Sequence, residues 1–285
     1  GFRTDVLDAL RKIKTPVIRW PGGCFVSAYP WKKGVGQQRI PYYDKAWRVE
    51  EPNTFGTDEL ITLCREVGAE PYICTNAGTG TPEEMADWVE YCNLMIGEWA
   101  SLRKENGQNE PFAVKYWSIG NENWGLHEMG AKTADEWARY TLEAGKMMKR
   151  VDPSIELSVA SIPDLDWNVK VLREAGELLD WISIHGYWSR PSEVGEFQRD
   201  YNAIIARAFE PEARIERTEH ILGALGYLGK IRIMFDEWNL RAWCHPGFFN
   251  IGHVDHTLMD RNDINSNYTM ADAVFTACFL NACLR

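Results

Sequence analysis

The sequence predicts a (β/α)8 barrel, met at its second strand and left after its seventh, and three observations lead there. Strand-like and helical stretches alternate along all 285 residues. Each strand is a continuous apolar run of about five residues, the mark of a parallel sheet covered by helices. A polar residue closes nearly every strand: Arg19, Asn76, Asn121 with Glu122, Ser161, His185 and Glu237. That is how a barrel gathers a site from many strand ends.

The elements follow in order. "TDVLDALRKIK" (4–14) spaces its apolar residues as a helix does, and Pro16 ends it before the strand "PVIRW". "NTFGTDELITLCREVGA" (53–69) is a second helix, leading into the strand "EPYICTN" (70–76). In "GTGTPEEMADWVEYCN", Thr81 is a cap, Pro82 a first-turn proline and Glu84 the capping-box partner, so a third helix starts there. "VKYWSIGNE" (114–122) reads as a strand, "TADEWARYTLEAGKMMKRV" (133–151) as a long amphipathic helix and "IELSVAS" (155–161) as a strand. "WNVKVLREAGELL" (167–179), "WISIHGYW" (181–188), a helical stretch over 192–228, "IRIMFDEWN" (231–239) and "YTMADAVFTACFLNACL" (268–284) complete the alternation. An open doubly wound sheet is the rival architecture, but no GxGxxG fingerprint follows any strand.

Six strands against eight lead to the expectation of one strand before Gly1 and one after Arg285. Residues 1–285 are then a single catalytic barrel domain, incomplete at both ends. At 45% hydrophobic residues the chain can bury a full core. Its 31 basic against 41 acidic residues, a net charge of −10, repel phosphate backbones, so nucleic acid is excluded as a partner. No run of about eighteen apolar residues marks a membrane span. Seven cysteines without a CxxC pair read as reduced and mostly buried, Cys64, Cys74, Cys92, Cys278 and Cys283 among apolar neighbours. That favours the cytoplasm, although a lost export signal is compatible with an N-terminus at Gly1.

Glu122 in "WSIGNENWG" and Glu237 in "FDEWN" each follow an apolar strand, where partial screening from water raises a carboxyl's pKa and suits it to acid catalysis. Singly, such a glutamate is more often a helix cap or half of an ion pair. Two in matching contexts, with tryptophans nearby, suit glycoside cleavage, in which one carboxyl protonates the leaving oxygen and the other attacks or activates water. A separation of about 5 to 5.5 Å is the retaining arrangement.

The blocks "IRWPGGCFVSAYPWKKGVG", "FGTDELITLCREVGAEPYICTNAGTGTPEEMADWVEYCN", "VKYWSIGNEN", "KTADEWARY", "VDPSIELSVA", "ISIHGYW" and "FDEWN" occur in one order over residues 4–285. Together they resemble the catalytic barrel of the α-L-arabinofuranosidases of glycoside hydrolase family 51. The resemblance implies Glu122 as acid/base at the end of strand four and Glu237 as nucleophile at the end of strand seven, with retention through a covalent arabinosyl intermediate. It implies that Asn121 hydrogen-bonds the sugar hydroxyl beside the anomeric carbon, and that Arg19, Cys24, His185 and Tyr187 line the sugar pocket. It implies no metal and no organic cofactor, an arabinofuranosyl carbohydrate as substrate, and a C-terminal β-sandwich outside these residues. A homo-oligomer is expected for the full-length protein. β-Xylosidase or endoglucanase activity on the same scaffold, or a non-catalytic carbohydrate-binding barrel, are the alternatives.

Smaller signals have plainer readings. Trp20, Trp31, Trp124, Trp188, Trp238 and Trp243 are candidate sugar platforms, with Trp124 and Trp243 the expected exposed ones. For any single tryptophan, core packing is the commoner role. His245, His253, Asp255 and His256 match no zinc spacing. "NAGTGTPEE" resembles an anion nest before a helix, which the capping box already accounts for.

Overall fold

The computed structural model describes residues 1–188, 205–239 and 270–285. In chain order it shows α1 (Thr4–Ile13), β1 (Val17–Trp20), α2 (Gly23–Val26), β2 (Tyr42–Asp44), β3 (Val49–Glu51), α3 (Thr57–Val67), β4 (Glu70–Thr75), α4 (Pro82–Asn93) and α5 (Glu98–Glu105). There follow β5 (Tyr116–Ile119), α6 (Ala134–Val151), β6 (Glu156–Ala160), α7 (Leu165–Ala175), β7 (Trp181–Tyr187), α8 (Glu210–Ala224), β8 (Arg232–Asn239) and α9 (Met270–Leu284). The expected strand–helix alternation is present. The sequence reading passed over the antiparallel β2–β3 hairpin, α2 and α5.

The chain divides into two compact units, Gly1–Ser161 with Val169–Ile182, and Ile162–Asn168 with Ser183–Arg285. In the first, β1, β4, β5 and β6 run parallel in that order. The register pairs Trp20 with Ile73, Thr75 with Ile119 and Ile119 with Val159. The polar residues after these strands therefore share one edge of the sheet. Ile73, Cys74, Trp117, Ile119, Leu157 and Val159 are almost fully buried, because a parallel strand is covered on both faces.

The helices begin where their caps place them. Thr81 Oγ1 accepts from the Glu84 amide at 3.2 Å and Glu84 Oε2 from the Thr81 amide at 3.0 Å, the reciprocal pair expected from the sequence. Arg103 on α5 is completely buried and donates to the carbonyls of Tyr91 (2.6 Å), Leu94 (2.8 Å) and Gln108 (3.2 Å). One planar fork thus satisfies carbonyls that the C-terminal end of α4 and the turn after α5 leave open. Arg103→Ala strands these acceptors and is expected to cost about 3 kcal/mol or more, read as a lower urea midpoint.

The second unit holds β8, α8, α9 and β7 from Ser183 onward. Its core is Trp188, Ala271, Phe275 and Phe279, with Phe235 and Trp238 packed against it. The Trp238 and Phe279 rings stack at 3.9 Å. Cys64, Cys74 and Cys92 are buried as expected, whereas Cys283 on the last turn of α9 is exposed.

Candidate active site

After β1 the chain turns through Gly22 at φ +64°. A Cβ there would stand 2.7 Å from Arg19 Nη1, so glycine both permits the left-handed turn and lets the guanidinium fold back over it. Arg19 Nη2 then donates to Asn121 Oδ1 at 2.7 Å, across 102 residues of sequence. Cys24 and Ser27 follow on and just after α2.

After β5 the backbone is forced into an uncommon path, with Gly120 at φ +70° and Glu122 itself at φ +46°. A non-glycine residue there costs on the order of 1 kcal/mol or more and persists only when its surroundings over-determine it. Asn123 Oδ1 accepts from the Asn121 amide at 3.0 Å, and the Lys132 amide donates to the Asn123 carbonyl at 2.7 Å. Lys132 Nζ reaches the carbonyls of Ala77 (2.7 Å) and Gly130 (2.9 Å). The Glu122 carboxyl, its side chain 11% exposed, meets His127 Nε2 at 2.7 Å through Oε2.

A second carboxyl, absent from the sequence reading, lies beside it. Glu128 is 5% exposed; its Oε2 accepts from Ser27 Oγ at 2.7 Å and its Oε1 from Asn121 Nδ2 at 2.9 Å. Burial pushes the Glu128 carboxyl above the usual range, against hydrogen bonds from Cys24 and Ser27 that pull it down, and the neighbouring Glu122 pushes it further up. Asn121 is therefore clamped at both ends, its oxygen to Arg19 and its nitrogen to Glu128.

In the second unit Glu237 lies near the end of β8. Tyr187 Oη donates to Glu237 Oε1 at 2.5 Å, and His185 Nδ1 stands 3.6 Å from Oε2. The other face of the imidazole is fixed by Asp236, whose Oδ1 lies 3.2 Å from His185 Nε2 and accepts from Ser183 Oγ at 2.7 Å. Arg214 on α8 holds the His185 carbonyl at 3.0 Å. A carboxylate oriented by a phenol and an imidazole can attack an electrophilic carbon.

The seven residues singled out from the sequence thus fall into two sets. Arg19, Cys24, Asn121 and Glu122 come together in the first unit, and His185, Tyr187 and Glu237 in the second. Sequence reading missed Ser27, His127, Glu128 and Asp236. The nest-like "NAGTG" is filled from within: Asn76 Oδ1 accepts from the amides of Gly78 (2.9 Å), Thr79 (3.0 Å) and Gly80 (3.1 Å), which leaves those donors nothing for a phosphate. Trp31 and Trp188 are core residues at 3% and 2% exposure, and Trp20 packs edge-on against Tyr29, Phe55 and Trp88. Trp124 is half-buried, its ring edge-on to His127. Trp243, His245, His253, Asp255 and His256 lie outside the described residues.

Residues 9–203 match the family model described as the alpha-L-arabinofuranosidase 1 domain. The chain is similar to alpha-L-arabinofuranosidase C of Emericella nidulans, 37% identical over an alignment of 263 residues that covers 84% of this chain and 51% of that protein. It is 36% identical to the intracellular exo-alpha-(1->5)-L-arabinofuranosidase of Halalkalibacterium halodurans over 86% of this chain and 50% of that one. The solved structure of the thermostable GH51 alpha-L-arabinofuranosidase from Thermotoga petrophila RKU-1 superposes with a TM-score of 0.83 at 39% identity, covering 98% of this chain and 55% of that chain. The chain spans about half the length of the curated relatives it matches. The fold class read from the strand–helix alternation is the one these proteins share.

Proposed function

The chain belongs to the α-L-arabinofuranosidases of glycoside hydrolase family 51, and from that premise we propose that it releases terminal α-L-arabinofuranosyl residues from arabinan- or arabinoxylan-type chains, with retention of configuration. Glu237 attacks the anomeric carbon and Glu122 protonates the departing oxygen. The arabinosyl ester so formed is opened by a water that Glu122 deprotonates. No step calls for a metal or an organic cofactor. The observation that carries the reading is the setting of Glu237, whose two oxygens face Tyr187 Oη at 2.5 Å and His185 Nδ1 at 3.6 Å. The Tyr187 hydroxyl, donating to one oxygen, fixes the direction of the carboxyl, which a nucleophile needs.

Asn121 presents what remains of its amide to the hydroxyl beside the anomeric carbon. Arg19 and Glu128 set its orientation before substrate arrives, so little ordering is left to binding. The name of the bacterial relative supports exo action on an α-1,5 linkage. That relative's intracellular setting supports a cytoplasmic location, and no helix of the described residues is long and apolar enough to cross a membrane.

The testing experiment is a panel of aryl glycosides with the full-length protein. We expect kcat/KM on the α-L-arabinofuranoside to exceed that on the β-D-xylopyranoside at least about a hundredfold, because polar groups arranged for one ring go unpaired with another. A preference for the pyranoside, or chain-internal cleavage of cellulose, sinks the assignment. His127→Ala, which removes the partner of Glu122 at 2.7 Å, is expected to lower kcat about tenfold on an unactivated arabinoside and to leave KM within about twofold. His127→Gln, which can still reach the carboxyl, should restore much of the rate.

A further inference from the structure

Cys24 Sγ, a ring nitrogen of His127 and a carboxylate oxygen of Glu128 all lie within 4.8 Å of one another. We propose that these three side chains form a binding site for one borderline-soft divalent cation of the zinc class, and that its occupancy suppresses turnover. The inhibitory half of the proposal rests on Glu122 being the acid/base; the binding half does not.

The donor set selects the ion. One sulfur, one imidazole nitrogen and one carboxylate oxygen match the three protein ligands of an open tetrahedral zinc site with a fourth position for water, whereas magnesium and calcium take oxygen alone. The ligands come from two separate stretches, α2 and the loop after β5, so the site depends on the fold and not on a local motif. Glu128 is held in advance by Ser27 at 2.7 Å and Asn121 at 2.9 Å. A carboxylate has roughly four lone-pair positions; Ser27 and Asn121 take two and fix where it points, and the hydrogen bond from Cys24 is given up when that thiol loses its proton to the incoming ion, which lets Glu128 ligate. On binding, the Cys24 thiol gives its proton to solvent, and thiolate and carboxylate together offset the charge of the ion.

Inhibition follows from His127. Its Nε2 holds Glu122 Oε2 at 2.7 Å. A cation on Nε2 breaks that bond, and a cation on Nδ1 fixes Nε2 as a donor, which opposes a proton on the facing Glu122 oxygen that the acid step requires. The ion also immobilises Cys24 and Glu128 around Asn121.

Cobalt(II) is the probe, because its thiolate complexes absorb in the near ultraviolet where aqueous cobalt does not. With the full-length protein, one equivalent of cobalt(II) is expected to produce that band, zinc(II) to remove it by displacement, and Cys24→Ser to abolish it while the circular dichroism spectrum stays unchanged. His127→Gln should weaken cobalt binding at least about tenfold. Zinc(II) should slow hydrolysis of an aryl arabinofuranoside, a chelator should reverse this, and the Cys24→Ser protein should show the same rate with and without zinc. No band in the folded protein, or a band that survives in Cys24→Ser, overturns the site. A band with undiminished turnover overturns the inhibition. Because the band requires no catalysis, an inactive protein that still binds cobalt through Cys24 would count against the glycosidase reading alone.

Discussion

Glu237→Ala is expected to lower kcat on an aryl α-L-arabinofuranoside by about five orders of magnitude, the scale on which removal of a covalent nucleophile is felt. The covalent route splits one difficult displacement into two easier ones, and with the carboxylate gone neither half remains. Tyr187 and His185 stay behind, still aimed at the space where Oε1 and Oε2 were. A small anion can enter that space, so azide should restore a measurable rate. Azide then attacks once, from the side the carboxylate used, and NMR should show a glycosyl azide of inverted configuration. A rate within about tenfold of the parent would remove Glu237 from the chemistry altogether.

Glu122→Ala should behave differently, and the difference assigns the roles. A general acid supplies about 10²- to 10⁴-fold, and only to leaving groups that need a proton. We expect a loss near the upper end of that range on an arabino-oligosaccharide and little loss of the first step on a dinitrophenyl arabinofuranoside. On the activated substrate the arabinosyl ester should accumulate, because no base remains to activate water. Azide should open that ester with retained configuration, opposite to the outcome with Glu237→Ala. Since Glu122 sits at φ +46°, alanine there is as strained as glutamate, and Glu122→Gln serves as the second variant because it keeps the contact with His127. Equal losses on both substrates would show that Glu122 does not act as the acid.

Much of this was legible in the sequence because it is written in local pattern. Thr81, Pro82 and Glu84 announce the start of α4, and the apolar runs at 70–76 and 114–119 announce buried parallel strands. Polar residues at strand ends marked Arg19, Asn121, Glu122, His185 and Glu237, whereas Cys24 and Tyr187 came from the family resemblance alone. Groups whose meaning depends on distant partners were not legible. Glu128 follows Asn121 by seven residues in a loop without periodicity, and only the fold brings Ser27 to within 2.7 Å of it, 101 residues away. Asp236 reads as one more polar residue beside Glu237, and its grip on His185 exists only once β7 and β8 are formed. The β2–β3 hairpin escaped notice because strands of three residues are too short for alternation to register. The tryptophans misled in a simple way: a ring suited to a sugar face is equally suited to a core, and Trp31 and Trp188 are in the core.

The chain of contacts from Arg19 through Asn121 to Glu128 and Ser27 has a polarity. Guanidinium can only give hydrogen bonds and an ionised carboxylate can only take them, so the amide between them has one permitted sense and cannot turn over. Four positions scattered over more than a hundred residues thereby act as one directed hydrogen-bond chain. A donor in place of Glu128 would face the Asn121 Nδ2 group, and turning the amide to meet it would set that nitrogen against the Arg19 guanidinium.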